Sequence, residues 1–239
     1  MSQIPAILLP PDEAERLRSI EQYEVLPSLH EVVFDEFVTL TARIFSLPIS
    51  LIALVDEEVV HYPANHGMPG NVQQPREEAL CSAAILHHKA IVYKDVEAED
   101  APTLTPEAVA AAHQNRLRFY AAAPLCTPDK RRVGSLCVIA RQPRVFSPQE
   151  RSLLEHLAAL VSQTVAVRHR SLHEGAGGEQ AWHDICVQLR EELLALTALV
   201  RYLFTRHGTQ VPVSNDVLGQ VERRLLDLHE VLGEEADGG

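Results

Sequence analysis

Apolar residues recur along the chain with two different periods, and the changes of period divide it into elements. Val33, Phe34, Phe37, Val38, Thr41, Ile44 and Phe45 fall at i, i+3, i+4 and i+7, which predicts an amphipathic helix stopped by Pro48. Strand chemistry takes over at ISLIALVD, and EEVVHYPANHG reads as its hairpin partner after an acidic turn. EALCSAAILHH (78–88) reads as helix, AIVYKD as a short strand, and a short helix is expected from Pro106. LRFYAAAPLCTPDKRRVGSLCVIA (117–140) reads as two strands with Pro128-Asp129 at the turn. Both strands are apolar on each face. Leu117, Phe119, Ala121, Ala123 and Leu125 share one side of the first strand, and Tyr120, Ala122 and Pro124 the other. Such a sheet must be covered twice. The alanine run fits close helix packing, and it also fits space for a small molecule.

Helix starts add punctuation. Asp12 and Glu15, then Ser28 and Glu31, stand at the capping-box spacing. Ser147-Pro148-Gln149-Glu150 combines an N-cap, a first-turn proline and a capping glutamate, opening a long helix to about His169. HEGAGGEQ (173–180) reads as a linker. Beyond it, Trp182, Cys186, Leu189, Leu193, Leu196, Val200 and Leu203 alternate steps of four and three, as do Leu218, Val221, Leu225, Leu228 and Leu232. Two helices with such seams cannot bury them alone. Two copies of the hairpin would form a four-helix bundle in a homodimer, and docking on the preceding domain would bury the same seams. The predicted organisation is an arm (1–11), an α+β domain (12–170), a linker (171–180) and a dimerisation or output hairpin (181–239). The sheet is expected to be mostly antiparallel, because all strand connections but one are too short for a parallel crossover.

Charge narrows the partners. The 239 residues carry a formal net charge of -12, which argues against nucleic acid and anionic membrane surfaces. Lys130-Arg131-Arg132 lies in the predicted turn and reads as solvated charge. The four cysteines, Cys81, Cys126, Cys137 and Cys186, form no CxxC pair, as expected of free thiols in a reducing compartment. With no signal-peptide pattern and no bilayer-length apolar run, a cytoplasmic protein is expected.

The order and wording of residues 9–165 resemble the GAF domains of bacterial signalling proteins. The matching stretches are ERLRSIEQYEVL, FDEFVTLTARIFSLPISLIALVDE, PRE-x-x-L-C-x-x-A-I, RFYAAAPL, VGSLCVI and FSPQERSLLEHLA. The resemblance implies a twisted antiparallel sheet with a helical layer on one face and a pocket-forming layer of loops and short helices on the other. It points to His61, Tyr62, Cys81, Phe119 and Tyr120 as candidate ligand-binding residues. Departures are specific. The family's Trp-Phe in the second strand is His61-Tyr62, its helix-start histidine is Ala83, the glycine after its FYA motif is Ala122, and its closing aspartate is Ala140. No cysteine lies in 95–117, where some relatives attach a bilin, so no covalent bilin is expected; the cofactor is otherwise unassigned. The Asn-Lys-x-Phe-Asp signature of cyclic-nucleotide-binding relatives is absent, as is the glycine-rich cysteine context of the methionine sulfoxide reductases.

Other chemistry is sparse. His61, His66, His87, His88 and His113 invite a metal, but adjacent helical histidines point about 100° apart, and no metal site is expected. His183-Asp184-Ile185, with Leu189 beyond, faintly resembles the phosphoacceptor helix of sensor histidine kinases. No ATP-binding segment follows it in the chain, so phosphotransfer with a response regulator or kinase partner is the form this reading takes. G-x-S-x-G, GK[ST] and HExxH are absent, and no catalytic residue is expected. The reading is therefore a non-catalytic cytoplasmic sensory module. A phosphorelay component using His183 and a ligand-free scaffold are the alternatives.

Overall fold

The computed structural model describes residues 4–98, 103–173 and 177–237. The first three residues of the predicted arm, residues 174–176 of the predicted linker and the final two glycines lie outside them.

Six strands form one antiparallel sheet in the order β3-β2-β1-β6-β5-β4: β1 (Ile49–Val55), β2 (Val59–His66), β3 (Gln73–Pro75), β4 (Ile91–Tyr93), β5 (Phe119–Cys126) and β6 (Arg132–Ala140). The helices are α1 (Glu13–Gln22), α2 (Val25–Leu29), α3 (Val32–Ile44), α4 (Pro106–Gln114), α5 (Pro148–His173), α6 (Gly178–His207) and α7 (Asn215–Asp237). This is the α+β architecture that the pattern predicts.

Alternation sorts the central strands onto two faces. Ile52, Leu54, Phe119, Ala121, Ala123, Leu136 and Val138 meet α3 and α5. Leu51, Ala53, Tyr120, Ala122, Cys137 and Ile139 meet the opposite layer. Leu117 departs from its expected side and joins the second group. The cause is a Schellman ending on α4. Arg116 takes φ 56°, Arg116 N–H donates to His113 and Leu117 N–H to Ala112, so Leu117 folds under the helix before the strand begins. The same device ends α3, with Ser46 at φ 52° and Leu47 N–H donating to Ala42, one residue before Pro48.

The segment expected to be α-helical at 78–88 is instead two 3-10 stretches, Arg76–Glu78 and Leu80–Leu86. Alanines and a serine give this segment a narrow, wholly buried face that lies close on the sheet. A bulge in β2 places Ile52 opposite Ala64 but Leu54 opposite His61, accommodating Pro63 inside a strand.

Two expected caps are diverted into tertiary contacts. Asp12 precedes α1 without a side-chain capping bond, and its carboxylate takes Arg131 at 2.7 Å. Ser28 sits inside α2 and bonds the Glu24 carbonyl, while Glu31 accepts from Arg168 and from Trp182 Nε1. The turn arginines are correspondingly more than solvated charge, for Arg132 also donates to the Ile85 carbonyl at 2.7 Å. The box at Ser147 forms as predicted: Ser147 N–H donates to Glu150 at 2.7 Å, and Glu150 N–H to Ser147 Oγ at 3.1 Å.

The predicted linker is shorter than its composition suggests, because α5 continues to His173 and α6 starts at Gly178. A Cβ on Gly178 would lie 1.9 Å from the Ser171 carbonyl oxygen, so the turn needs glycine there. α6 and α7 then pack on α3 and α5 as a further helical layer. Trp182, Leu189, Leu193, Leu196, Val200, Leu203, Leu218, Val221, Leu225 and Leu228 are all buried in the same core as those two helices. The seams that could face a second copy are covered by the chain itself.

Candidate functional site

The two coverings of the sheet differ in kind. Against α3 and α5 the centre of the layer is filled by Phe34, Phe37, Phe45, Phe119 and Phe146 with leucines and valines, and the remaining space lies in shallow grooves at its margins, between β5 and α5 and between the end of α3 and α6. On the other face the cover is the 3-10 segments, α4 and the loop after β2, and a cleft of about 600 Å³ remains. Leu51, Tyr120 and Ile139 form its floor, Tyr62, Leu80 and Cys81 one wall, and Ala111 and Ala112 of α4 with the C-cap residue Asn115 another.

The loop 67–71 closes a third side. Asn65 pins it, donating to the Met68 carbonyl (2.7 Å) and the Asn71 carbonyl (3.0 Å) and accepting from Met68 N–H (3.1 Å). Gly67 takes φ 91° where the strand turns into this loop. Gln74 accepts from the Tyr62 hydroxyl at 3.1 Å and donates to the Glu78 carbonyl at 2.8 Å, so the rim is pre-shaped by its own amides. α4 is fixed in turn by Thr105, whose Oγ1 accepts from Ala108 N–H (3.1 Å) and donates to the Glu77 carbonyl.

Tyr62, Cys81 and Tyr120 therefore come together as expected residues of one cleft. His61 and Phe119 do not. His61 pairs with Leu54 and so shares its face of the sheet, with Nε2 3.5 Å from Asp56. Phe119 is one position out of phase with Tyr120 and belongs to the helix-side core, beside Phe146 at 5.5 Å. Strand alternation separates both pairs, and for Phe119 and Tyr120 it is the two-sided pattern read from the sequence.

Under the floor lies a buried polar cluster. Cys81 and Cys137 place their sulfurs 3.9 Å apart. The Tyr120 and Ser135 hydroxyls stand round them, buried and without well-formed hydrogen bonds. Burial first, then the neighbouring thiols, pushes the Tyr62 and Tyr120 hydroxyls well above their ordinary range. Cys137 is pushed up by burial, whereas its hydrogen bond holds Cys81 below the usual thiol value. The sequence signal for the remaining lining, MPGNVQQP at 68–75, is a turn-rich stretch carrying three amides, which marks a shaped polar loop.

The other histidines are dispersed. His88 meets Arg132, His113 lies 3.9 Å from Glu97, and His66 sits near Thr39. Among the described residues no three His, Cys, Asp or Glu side chains converge on a point that could hold a metal ion. His183 is exposed near the start of α6, where Gln180 bonds its neighbour Asp184 at 2.9 Å.

Residues 27–166 match the family model for the GAF domain. The chain belongs to the GAF family. It is 33% identical over 157 residues to the cyclic di-GMP phosphodiesterase PA2567 of Pseudomonas aeruginosa, a match covering 64% of this chain and 25% of that protein. The chain thus spans about a quarter of the length of this relative. Among solved structures it is similar to the GAF domain of an Acinetobacter phosphoenolpyruvate-protein phosphotransferase, with 21% identity, TM-score 0.47, and coverage of 67% of this chain and 97% of that one. It is also similar to the blue-light-absorbing form of the PixJ GAF domain of Thermosynechococcus elongatus, with 15% identity, TM-score 0.48, and coverage of 64% and 90%. A GAF module of the signalling and sensory type is what the family assignment supports. Among the described residues no helix is long and apolar enough to cross a membrane.

Proposed function

We propose that this GAF module is non-catalytic and cytoplasmic, binds a small ligand in the cleft over β1, β5 and β6, and passes that event to the α6–α7 hairpin. The observation that carries this reading is the buried Tyr120 hydroxyl, which has only the cysteine thiols and Ser135 beside it and no well-formed hydrogen bond, beneath a cleft of about 600 Å³ whose rim is built from amides. A buried polar group without a partner costs free energy, so its natural complement is a polar atom supplied by a ligand. β5 carries the coupling. Tyr120 faces the cleft while Phe119 and Ala121, its neighbours in the strand, face the helical side, so a shift of the floor bears on the α5 packing.

The likeness to a cyclic di-GMP phosphodiesterase covers a quarter of that protein, and we read the shared part as regulatory rather than catalytic. Phosphorelay is the second reading, supported by the exposure of His183. A homodimer would meet through the outer row of α6, where Val187, Leu194 and Tyr202 are exposed at near-heptad spacing.

Native mass spectrometry of protein purified from its own host tests these together, because it reports subunit count and any co-purifying mass. A bound small molecule that is lost in Tyr120→Phe supports the sensor. An empty cleft, with no thermal shift across a small-molecule panel, would overturn it in favour of a scaffold. Phosphoryl transfer from phosphorylated response regulators that disappears in His183→Gln would instead establish the relay.

A further inference from the structure

Cys81 and Cys137 pack at the wall and floor of the cleft, and neither packing nor the proposed ligand contact draws on their sulfur chemistry. Cys81 belongs to the 3-10 segment Leu80–Leu86, and Cys137 to the middle of β6, where it pairs with Leu51 and Ala122. Two layers of the domain thus meet sulfur to sulfur at 3.9 Å, from residues 56 positions apart in the sequence. Only Cys81 of the two lines the cleft, where it is 2 % exposed against 0 % for Cys137, so a small reagent that works into the cleft wall meets Cys81 first and the second sulfur behind it. That is the arrangement of an attacking and a resolving thiol.

The other cysteines lack it. Cys126 is held as a thiol by burial at the end of β5. Cys186, on α6 and 3.8 Å from Glu31, is pushed up to about 12 by burial and then by that carboxylate. Cys81 alone is shifted towards the thiolate, the form that reacts.

We propose that Cys81 and Cys137 form a reversible dithiol–disulfide site that reacts with small hydroperoxides entering the cleft. The Cys81 sulfur attacks the distal oxygen of the hydroperoxide. The O–O bond breaks, the departing alkoxide takes the Cys81 proton and leaves as an alcohol, or as water from hydrogen peroxide, and Cys81 becomes a sulfenic acid. Cys137 then attacks the Cys81 sulfur, an S–S bond replaces the S–O bond, and the hydroxide leaves as water with the Cys137 proton. Two thiols are oxidised by two electrons, and one hydroperoxide is reduced. Closing the bond draws the sulfurs together by about 2 Å, which ties the cleft wall to the sheet beneath it. The site does not require the cleft to hold a ligand.

The test uses the full chain, fully reduced, exposed to hydrogen peroxide and then alkylated in denaturant. Before alkylation the expected product has lost about 2 Da by intact mass, the two hydrogens of a dithiol, and after alkylation it carries two alkyl groups fewer than the reduced chain. Peptide mapping should join Cys81 to Cys137, dithiothreitol should restore the original mass, and the oxidised form should melt at a higher temperature. Cys137→Ser should stop at a Cys81 sulfenic acid that dimedone traps, and Cys81→Ser should lose thiols about tenfold more slowly. The Cys126→Ser/Cys186→Ser variant leaves only the proposed pair and decides the matter even where a core variant fails to fold. Unchanged mass in that variant, under conditions that oxidise its unfolded form, would overturn the proposal. So would a cross-link in the unsubstituted protein that maps to any other cysteine pair.

Discussion

The two faces of the sheet are made from the same strands and solve different problems. On the helical face, long helices laid side by side close the centre of the surface with phenylalanines and leucines, a second pair of helices covers them in turn, and open grooves are confined to the margins. On the cleft face the cover is short: two 3-10 stretches, a three-turn helix and a glycine-containing loop. Short covers cannot span a sheet, so space remains, and the groups bordering it are hydroxyls, thiols and amides. The lesson is that cover length, more than strand composition, decides which face of this sheet is core and which is site. β5 makes the point, since the run from Phe119 to Ala123 is buried towards both sides.

Substitutions can break that contrast. The largest loss is expected at Glu150, wholly buried, where one carboxylate takes Arg144, Ser147 N–H and, at 3.1 Å, Val213 N–H in the turn between α6 and α7. Glu150→Gln strands the Arg144 charge and should cost roughly 3–5 kcal/mol in denaturant unfolding. Next, Leu193→Ala on the helical face should cost about 3 kcal/mol, because the surrounding helices cannot collapse onto the void. Leu80→Ala should cost clearly less, since it enlarges a cleft already open to water; equal losses would erase the distinction between the faces.

Acid should act mainly through charges at the sheet ends. Burial opposes ionisation of Glu13, but hydrogen bonds from the buried Arg16 and Arg76 hold its carboxyl below the ordinary 4.5. Its contribution is therefore complete above that value and is lost as pH falls through the lower folded one. His66, His87 and His229, depressed chiefly by burial, begin the decline below 6.5 because the unfolded chain binds their protons more readily. Asp35, raised by burial, works in the opposite direction. A melting temperature that rose on acidification from pH 6.5 to 4 would contradict this account. The smallest stability effect is expected from Tyr120→Phe, which removes an unpartnered hydroxyl and should be neutral or stabilising by about 1 kcal/mol in thermal melts.

Much of the architecture was legible because periodicity reports burial directly. The α3 stripe, the β1–β2 hairpin, the β5–β6 pair, the Ser147 capping box and both hairpin seams follow from spacing, and GAF membership follows from the order of motifs. The candidate site was legible only in part. Tyr62, Cys81 and Tyr120 line the cleft, but alternation turns Phe119 to the helical side, and in β2, where a bulge sets the register, it turns His61 there too. Asp12, Ser28 and Glu31 had local capping geometry available, yet all three ended in long-range bonds, Asp12 to Arg131, Ser28 to Arg168, and Glu31 to Arg168 and Trp182.

What the sequence by itself determined is which residues leave water and with what local period, since apolar burial and hydrogen-bond capping act over a few residues. What only the tertiary structure decided is where each buried face found its cover. The hairpin seams met α3 and α5 of their own chain, and Cys81 met Cys137 across two layers. Those pairings depend on distances between segments far apart in the chain, and no spacing along a single segment encodes them.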